Sequence, residues 1–164
     1  MTDIKDDEWV ARMAELWQTR SKGLIYGLNL KAELATRQGV RMRMPFNPNF
    51  CADEDETLLH GGVLTSLLDS AFGLAIFLAV GEIQTMATLD LRVDYLRPAK
   101  TRSDVIVEAQ CHHQTRHIAF GTGQVMFDGA ENEAVAHGTA TFALTRGDQG
   151  KGHWSLRPKD GTET

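Results

Sequence analysis

The segment 60–73 combines a glycine turn with a single carboxylate on an otherwise apolar stretch. Gly61 and Gly62 come directly before a predicted helix, whose first N–H groups lack partners within the helix and lie at the positive end of its dipole. A developing oxyanion would be stabilised there, and glycine lets a carbonyl group approach the backbone closely. Asp69 is the only acid in the segment. An amide-lined turn and a carboxylate are groups that the hydrolysis of an acyl ester or thioester requires.

The spacing of the small and polar residues predicts a groove along this helix. Gly62, Ser66, Asp69 and Gly73 are separated by four, three and four residues, so they share one face, as a substrate groove would. Gly61 and Asp69 are eight residues apart, which at about 1.5 Å per residue separates them by roughly 12 Å along the axis. One carbonyl group cannot contact both. If both act in one reaction, the turn of one subunit must meet the carboxylate of another, as in a two-fold dimer with antiparallel helices.

Composition and charge narrow the class of protein. The chain has 164 residues, of which 42% are hydrophobic and 24% charged, which suits a single domain. Its net charge of -5 argues against nucleic acid as a partner. Cys51 and Cys111 lack a CxxC spacing, and the N-terminus lacks the pattern of a signal peptide, so we expect a cytoplasmic protein. Residues 63–80 are apolar enough for a membrane span, but a central Asp69 is costly in lipid, so we expect a buried core helix and no membrane partner.

The elements that must position these residues follow from hydrophobic spacing. Apolar residues from Trp9 to Trp17 recur at helical spacing and predict an amphipathic helix within residues 1–22. Alternating apolar residues predict strands over about 40–44, 89–95, 105–111, 118–127 and 134–144. Short turns make consecutive strands antiparallel neighbours, and a helix that is apolar nearly all round needs cover on most sides. We therefore predict an α+β fold, with a curled antiparallel β-sheet wrapped around one long central helix and an additional N-terminal helix.

The motif HGGVLTSLLDSAFG, followed by TLDLRVDYLRPAK, resembles the hotdog-fold acyl-CoA thioesterases of the phenylacetate-pathway (PaaI-type) group. The resemblance covers about residues 47–144 and implies a hotdog thioesterase domain over 23–146, followed by a polar C-terminal tail over 147–164. It implies that Asp69 is the nucleophile or the base that activates water, that the Gly61 N–H polarises the thioester carbonyl, and that His60 shapes the same turn. Thr88 matches a hydroxyl residue that commonly helps to position water. Family active sites lie between subunits, which implies a homodimer or homotetramer.

Two features of the resemblance stay open. Many relatives carry an Asn several residues before the His, where this chain has the acidic segment 53–56, so that role is unfilled or taken over. The mechanism stays open between direct attack and activated water. Arg97 and Lys100 stand out in an acidic chain as ligands for the phosphates of coenzyme A, with Arg116 as a weaker candidate, and a solvated turn explains the same residues equally well.

Simpler explanations exist for the candidate catalytic residues. Asp69 alone could be a buried acid satisfied within the core, but the adjacent glycine turn favours a functional role. His60 could simply cap the helix. Thr88 could be an ordinary cross-strand residue. Strict alternation places its side chain on the other face of the sheet from Leu89, so only a bulge or the dimer interface would bring it near the acid.

A metal site is the weaker interpretation of the histidines. Cys111, His112, His113 and His117 lie close in sequence, but adjacent strand residues point to opposite faces, so we expect no metal. The prediction is a homo-oligomeric thioesterase that hydrolyses an acyl-CoA to free acid and CoA, with no cofactor beyond the coenzyme A of its substrate. The alternatives are a dehydratase or hydratase that acts on acyl thioesters and a non-catalytic acyl-CoA-binding module. The sequence leaves aryl, medium and long acyl groups open.

Overall fold

The helices and strands come from a computed structural model, which describes residues 6–20, 23–82, 84–130 and 132–145. The predicted tail over 147–164 lies outside the described residues. In chain order the elements are α1 (Asp6–Arg20), α2 (Leu24–Gly27), β1 (Lys31–Ala35), β2 (Val40–Met44), a 3-10 helix (Pro48–Phe50), α3 (Gly61–Val80), β3 (Thr85–Tyr95), β4 (Val105–Gln114), β5 (Ile118–Phe127) and β6 (Ala136–Thr145). α1 thus lies within the segment for which the sequence predicts a helix.

The six strands form one antiparallel sheet in the order β1-β2-β4-β5-β6-β3. β3 follows α3 in sequence but pairs with β6, the last strand, so β3 lies at one edge of the sheet. The helix α3 packs against β2, β3, β4, β5 and β6. The predicted α+β fold, with a curled antiparallel sheet around one central helix, is confirmed.

The sheet-facing side of α3 is fully apolar. Its buried residues are Leu64, Leu67, Leu68, Ala71, Phe72, Leu74, Ala75, Ile76 and Leu78. Among the described residues, α3 is the one helix long and apolar enough to cross a membrane, and in this fold its apolar side chains form the core. Added Cβ atoms at Gly121, Gly123 and Gly138 would lie 2.8, 3.1 and 3.3 Å from the Phe72 ring. Glycine on β5 and β6 therefore makes the room for this ring.

The C-terminal end of α3 is anchored by α1 and by the β1–β2 turn. The Trp9 ring stacks on Phe77 with a centroid distance of 5.8 Å, and the Arg37 guanidinium lies 4.5 Å from the Trp9 ring centroid. Arg37 also donates a hydrogen bond to the Leu78 carbonyl at 2.7 Å. Gly81 ends the helix with φ of 78°, a left-handed conformation that glycine adopts without strain. The opposite, N-terminal end of α3 makes different contacts.

The strand predictions miss β1 and the end of β4. In the sequence Ala32 and Leu34 alternate with Lys31 and Glu33, but the register of β1 with β2 shifts between Ala32 and Leu34, and Leu34 stays exposed. β4 pairs with β5 beyond Cys111 and extends to Gln114, with a register shift between Cys111 and His113. A bulge adds one residue without a partner, so the side-chain period of two fails across it.

Candidate active site

The turn before α3 is held by His60, the N-cap residue of the helix. Its Nδ1 accepts a hydrogen bond from the Gly62 N–H at 3.0 Å, and its own N–H donates to the Phe50 carbonyl at 2.9 Å. Among the hydrogen bonds of the described residues, none has the Gly61 N–H as donor. Gly61 is half-buried at the positive end of the helix dipole, so its amide is placed to bind a ligand oxygen.

The Gly61 carbonyl is fixed by two hydroxyl groups. Tyr95, the last residue of β3, donates its O–H to the Gly61 carbonyl at 3.0 Å, and its oxygen lies 2.8 Å from the Thr65 Oγ1. Thr65 donates to the same carbonyl at 3.2 Å. A Cβ at Gly61 would lie 3.2 to 3.3 Å from atoms of the Tyr95 ring. Sequence reasoning missed Tyr95, because alternation identifies it only as the end of a strand.

Asp69 lies on the face of α3 that the sheet leaves uncovered, and it is half-buried. The exposed Thr88 donates a hydrogen bond from its Oγ1 to the Asp69 Oδ1 at 2.9 Å. The register of β3 with β6 shifts between Thr88 and Asp90, which is a β-bulge at Leu89. Because the bulge interrupts the alternation of side chains along β3, the Thr88 side chain can contact Asp69. Asp69 is therefore not sealed against the core of its own chain.

The predicted groove residues lie on this same uncovered face. Gly62 is exposed, and Ser66, Asp69 and Gly73 are half-buried, while the buried residues between them are Leu64, Leu67, Leu68, Ala71 and Phe72. The Ser66 hydroxyl donates to the Gly62 carbonyl at 2.8 Å, so it is used within the helix. A Cβ at Gly73 would contact no atom within 4 Å. The face is small, polar and open, as the spacing predicts.

Gly61 and Asp69 are not brought together within one chain. Gly61 contacts Tyr95 at the C-terminal end of β3, whereas Asp69 contacts Thr88 in its N-terminal half. α3 and β3 thus run side by side in opposite directions. The C-terminal end of β3 lies beside the Gly61 turn, and its N-terminal half lies beside the Asp69 carboxylate. The axial separation of roughly 12 Å along the helix remains.

Comparison with known proteins identifies the family. The sequence model of the family described as Thioesterase superfamily matches residues 57–130. A protein of Halobacterium salinarum named "Putative esterase" is 32% identical over 133 residues, which cover 77% of this chain and 87% of that protein. The chain belongs to the thioesterase superfamily.

This superfamily member also resembles a second protein in sequence and a solved structure in fold. The medium/long-chain acyl-CoA thioesterase YigI of Escherichia coli is 32% identical over 89 residues, which cover 44% of this chain and 56% of YigI. A solved structure of a Pseudomonas aeruginosa protein superposes with a TM-score of 0.70 at 26% identity, over 82% of this chain and 98% of that one. The hotdog fold is thus shared over most of the described residues.

The residues predicted to bind coenzyme A, which are Arg97, Lys100 and Arg116, lie near opposite ends of β3 in this thioesterase-superfamily chain. Arg97 follows β3 and pairs with Glu133 at 2.9 Å, and both side chains are exposed. Lys100 is exposed in the same segment, which bridges to the chain before the Gly61 turn. These two cations therefore lie on the Gly61 side of the molecule.

Arg116 lies at the other end, in the turn between β4 and β5. The adjacent His117 carbonyl accepts a hydrogen bond from the Leu144 N–H, and Leu144 pairs with Met86 near the start of β3. Arg116 is exposed. Within one chain of this superfamily member, Arg116 is thus on the side of Thr88 rather than on the side of Arg97.

The histidines of β4 are arranged differently from the prediction. The register shift between Cys111 and His113 interrupts the alternation, and both His112 and His113 contact the Phe120 ring, with centroid distances of 6.2 and 5.9 Å. The expectation that these two side chains point to opposite faces is therefore wrong. Among the described residues, no group of three His, Cys, Asp or Glu side chains could hold a metal ion.

The acidic segment before the turn is partly structural. Asp53 Oδ1 accepts from the N–H groups of Thr57 and Leu58 at 2.9 and 2.6 Å, and Oδ2 accepts from the Thr57 hydroxyl at 2.8 Å. These bonds, above all that from the Leu58 N–H, lower the pKa of Asp53 to about 2. Residues 54–56 are exposed, whereas Asp53 shapes the chain that leads to His60.

Proposed function

We propose that this chain is a PaaI-type acyl-CoA thioesterase, which hydrolyses an acyl-CoA to free acid and CoA without a metal or other cofactor. The observation that carries the proposal is the hydrogen bond from Thr88 to Asp69, because it orients a carboxylate on the open face of the central helix. The name of the Escherichia coli relative supports acyl-CoA as the class of substrate.

In the proposed reaction, the Gly61 N–H and the Asp69 carboxylate act on one thioester group. The thioester carbonyl oxygen accepts a hydrogen bond from the Gly61 N–H, where the helix dipole favours developing negative charge. Thr88 engages Oδ1 of Asp69, which leaves Oδ2 for the reaction. Oδ2 either attacks the carbonyl carbon or takes a proton from a water that attacks it. In both routes the carbon–sulfur bond breaks, and the CoA thiolate leaves and is protonated. Direct attack leaves the acyl group on Asp69 as a mixed anhydride, which water then hydrolyses to the free acid and the regenerated carboxylate.

The proposed site needs a second copy of the chain. β3 is an edge strand of 11 residues that exposes 58% of Leu89 and 54% of Tyr95, and long apolar edges are normally covered. Antiparallel pairing of β3 with the same strand of a two-fold partner, with the axis near Leu91 and Arg92, would set Thr88 opposite Tyr95. Asp69 of one subunit would then face the Gly61 turn of the other.

This dimer also assembles the coenzyme A ligands. Arg116 lies on the Thr88 side of one chain, and Arg97 and Lys100 lie on the Gly61 side, so the same two-fold pairing brings all three to one site. Cations of two subunits would then surround the nucleotide phosphates. A homotetramer would pair two such dimers without altering the site.

Turnover of purified protein on a panel of acyl-CoA thioesters tests the proposal. We expect release of free CoA by the native chain and a loss of at least about a hundredfold in kcat for Asp69→Asn, the scale expected for a lost base or nucleophile. Asp7→Asn, an exposed change on α1, is the matched control and should leave turnover unchanged. Equal background rates for the native chain and Asp69→Asn, with acyl-CoA still bound, would identify a binding module instead.

A further inference from the structure

The His60 side chain folds over the N-terminal end of α3 and uses one of its two ring nitrogens there. Nδ1 accepts a hydrogen bond from the Gly62 N–H at 3.0 Å, and the His60 carbonyl accepts from the Val63 N–H at 2.9 Å. His60 therefore satisfies two of the first three amides of the helix. Among the hydrogen bonds of the described residues, the third amide, that of Gly61, has no acceptor. The imidazole and this amide lie at the same end of the helix.

The cap also decides which ring nitrogen of His60 carries the proton. Because an N–H group donates to Nδ1, this nitrogen bears no hydrogen, and the neutral imidazole carries its proton on Nε2. His60 is exposed, and within the part of the chain that the structure describes its Nε2 makes no hydrogen bond. The ring is therefore an uncharged donor whose N–H is available to a ligand.

His60 and Gly61 line the same cavity, which has a volume of about 440 Å³. Two other side chains of its lining carry donors, and both have acceptors already. The Tyr95 hydroxyl donates to the Gly61 carbonyl at 3.0 Å, and the Arg97 guanidinium pairs with Glu133 at 2.9 Å. Within this lining, the Nε2–H of His60 is thus the side-chain donor without an acceptor of its own.

The acidic segment 53–56, which precedes the turn, cannot provide such a donor. An ionised carboxylate only accepts hydrogen bonds, and Asp53 already accepts from the Thr57 and Leu58 N–H groups. An oxyanion needs donors that are fixed before the charge develops. The N-cap bond of His60 fixes its ring in this way, because the ring cannot turn without losing the bond from Gly62.

We propose that the His60 Nε2–H is a second donor to the thioester carbonyl oxygen, beside the Gly61 N–H. The inference rests on the proposed function, because that function places the carbonyl oxygen at Gly61. The ring keeps its proton throughout the reaction. Its hydrogen bond strengthens as negative charge develops on the oxygen, and it weakens again when the carbonyl re-forms and the carbon–sulfur bond breaks. His60 is thus a catalytic residue as well as a cap.

Two substitutions separate these two roles of His60. Serine is a good N-cap residue but is too short to reach the substrate, so His60→Ser should melt like the native chain and lose about a hundredfold in kcat with little change in KM. The amide of glutamine can donate from about the position of Nε2 but caps poorly. His60→Gln should therefore melt at a lower temperature and keep kcat within about tenfold of the native value.

His137→Ser, an exposed change on β6, is the matched control and should alter neither melting nor turnover. Thermal melting and steady-state release of free CoA measure all three variants. A folded His60→Ser variant with native kcat would overturn the proposal and leave His60 as a helix cap alone, while hydrolysis by Asp69 would stand.

Nuclear magnetic resonance tests the same contact without turnover. The probes are S-acetonyl-CoA, which has a carbonyl group but no thioester, and S-propyl-CoA, which has no carbonyl group. In proton–nitrogen correlation spectra of the chain with isotope-labelled histidine, at about pH 8 where imidazole is neutral, we expect the His60 ring to carry its proton on Nε2. Its Nε2 signal should shift with S-acetonyl-CoA but not with S-propyl-CoA, and the His137 signals should stay unchanged.

A His60 proton on Nδ1, or equal responses of Nε2 to the two probes, would overturn the proposal. A shift with S-acetonyl-CoA alone would support it even if no acyl-CoA were turned over. In that case the proposed hydrolysis would fail, and the binding of a carbonyl oxygen by His60 would stand.

Discussion

Thr88 and Asp69 lie 19 residues apart in sequence, and a hydrogen bond of 2.9 Å joins the threonine hydroxyl to one carboxylate oxygen. The contact crosses from the edge strand to the central helix, and the bulge at Leu89 makes it possible. Since a bond to a charged acceptor is stronger than one between neutral groups, it restricts how the carboxylate can turn. One oxygen is held by Thr88, and among the hydrogen bonds of the described residues none involves the other oxygen.

Loss of the Thr88 hydroxyl should lower turnover without unfolding the chain. A hydrogen bond to a charged group contributes about 1.5–3 kcal/mol, so Thr88→Val should reduce kcat by about tenfold to a hundredfold with little change in KM. Thr88→Ser keeps the donor and should retain most of the activity. Steady-state assay of CoA release measures both variants. A Thr88→Ser variant as impaired as Thr88→Val would show that the methyl group, not the hydroxyl, matters.

The Tyr95 hydroxyl should act on catalysis through the Gly61 peptide. Tyr95→Phe removes one of the two hydroxyl donors to the Gly61 carbonyl and leaves the Thr65 bond in place. We expect kcat to fall about tenfold with KM nearly unchanged, and unfolding free energy to fall by about 1 kcal/mol. Kinetics and urea unfolding measure the two effects separately. A change in stability with full turnover would show that Tyr95 supports only the fold.

Glycines on the two sides of the central helix should respond oppositely to an added methyl group. Gly121→Ala places a Cβ 2.8 Å from the Phe72 ring, so the core must shift, and we expect a loss of about 1–3 kcal/mol in unfolding free energy. Gly73→Ala meets no atom within 4 Å and replaces glycine inside a helix, so it should stabilise by about 0.5–1 kcal/mol. Urea unfolding of both variants tests the assignment of the open and packed faces. Equal effects would contradict it.

The contribution of Asp53 to stability should disappear in acid. Its folded pKa, about 2, lies below the usual aspartate value, so its ionised form stabilises the fold above about pH 4, and this contribution is lost as the pH falls through about 2. Asp53→Ala should therefore be less stable than the native chain at neutral pH, and the difference should shrink towards pH 2. Glu54→Gln, an exposed change in the same segment, provides the control. A difference independent of pH would assign the effect to packing.

The proposed pairing of β3 strands can be trapped covalently. In a background with Cys51→Ser and Cys111→Ser, the single change Arg92→Cys should form a disulfide-linked dimer on oxidation, because the two-fold axis would pass near this residue. Thr139→Cys, exposed on β6 one strand further from the proposed interface and directly opposite Arg92 in the register, should stay uncrosslinked. Non-reducing electrophoresis and mass measurement give the result. An active enzyme that is monomeric by light scattering would refute the shared site.

The sequence predicts the central helix and the curled sheet well, because each depends on a regular hydrophobic period. The apolar run of α3 demands cover, and β6 alternates along its whole length. Where the bulge in β4 interrupts the period, the prediction fails, and the placement of His112 and His113 was wrong. The five-residue strand β1 was also missed. Tyr95 illustrates another limit, because its contact with Gly61 spans 34 residues and depends on how the strand lies along the helix.

β3 touches the central helix through Tyr95 at one end and through Thr88 near the other, so the amide and the acid of one chain belong to different reaction centres of the proposed pair. Each subunit then contributes one half of two centres. Mixing a subunit that lacks the acid with a subunit whose glycine turn is damaged would rebuild one intact centre out of two inactive proteins. The two inactive variants should therefore restore activity when they are expressed together, whereas each variant expressed alone should stay inactive.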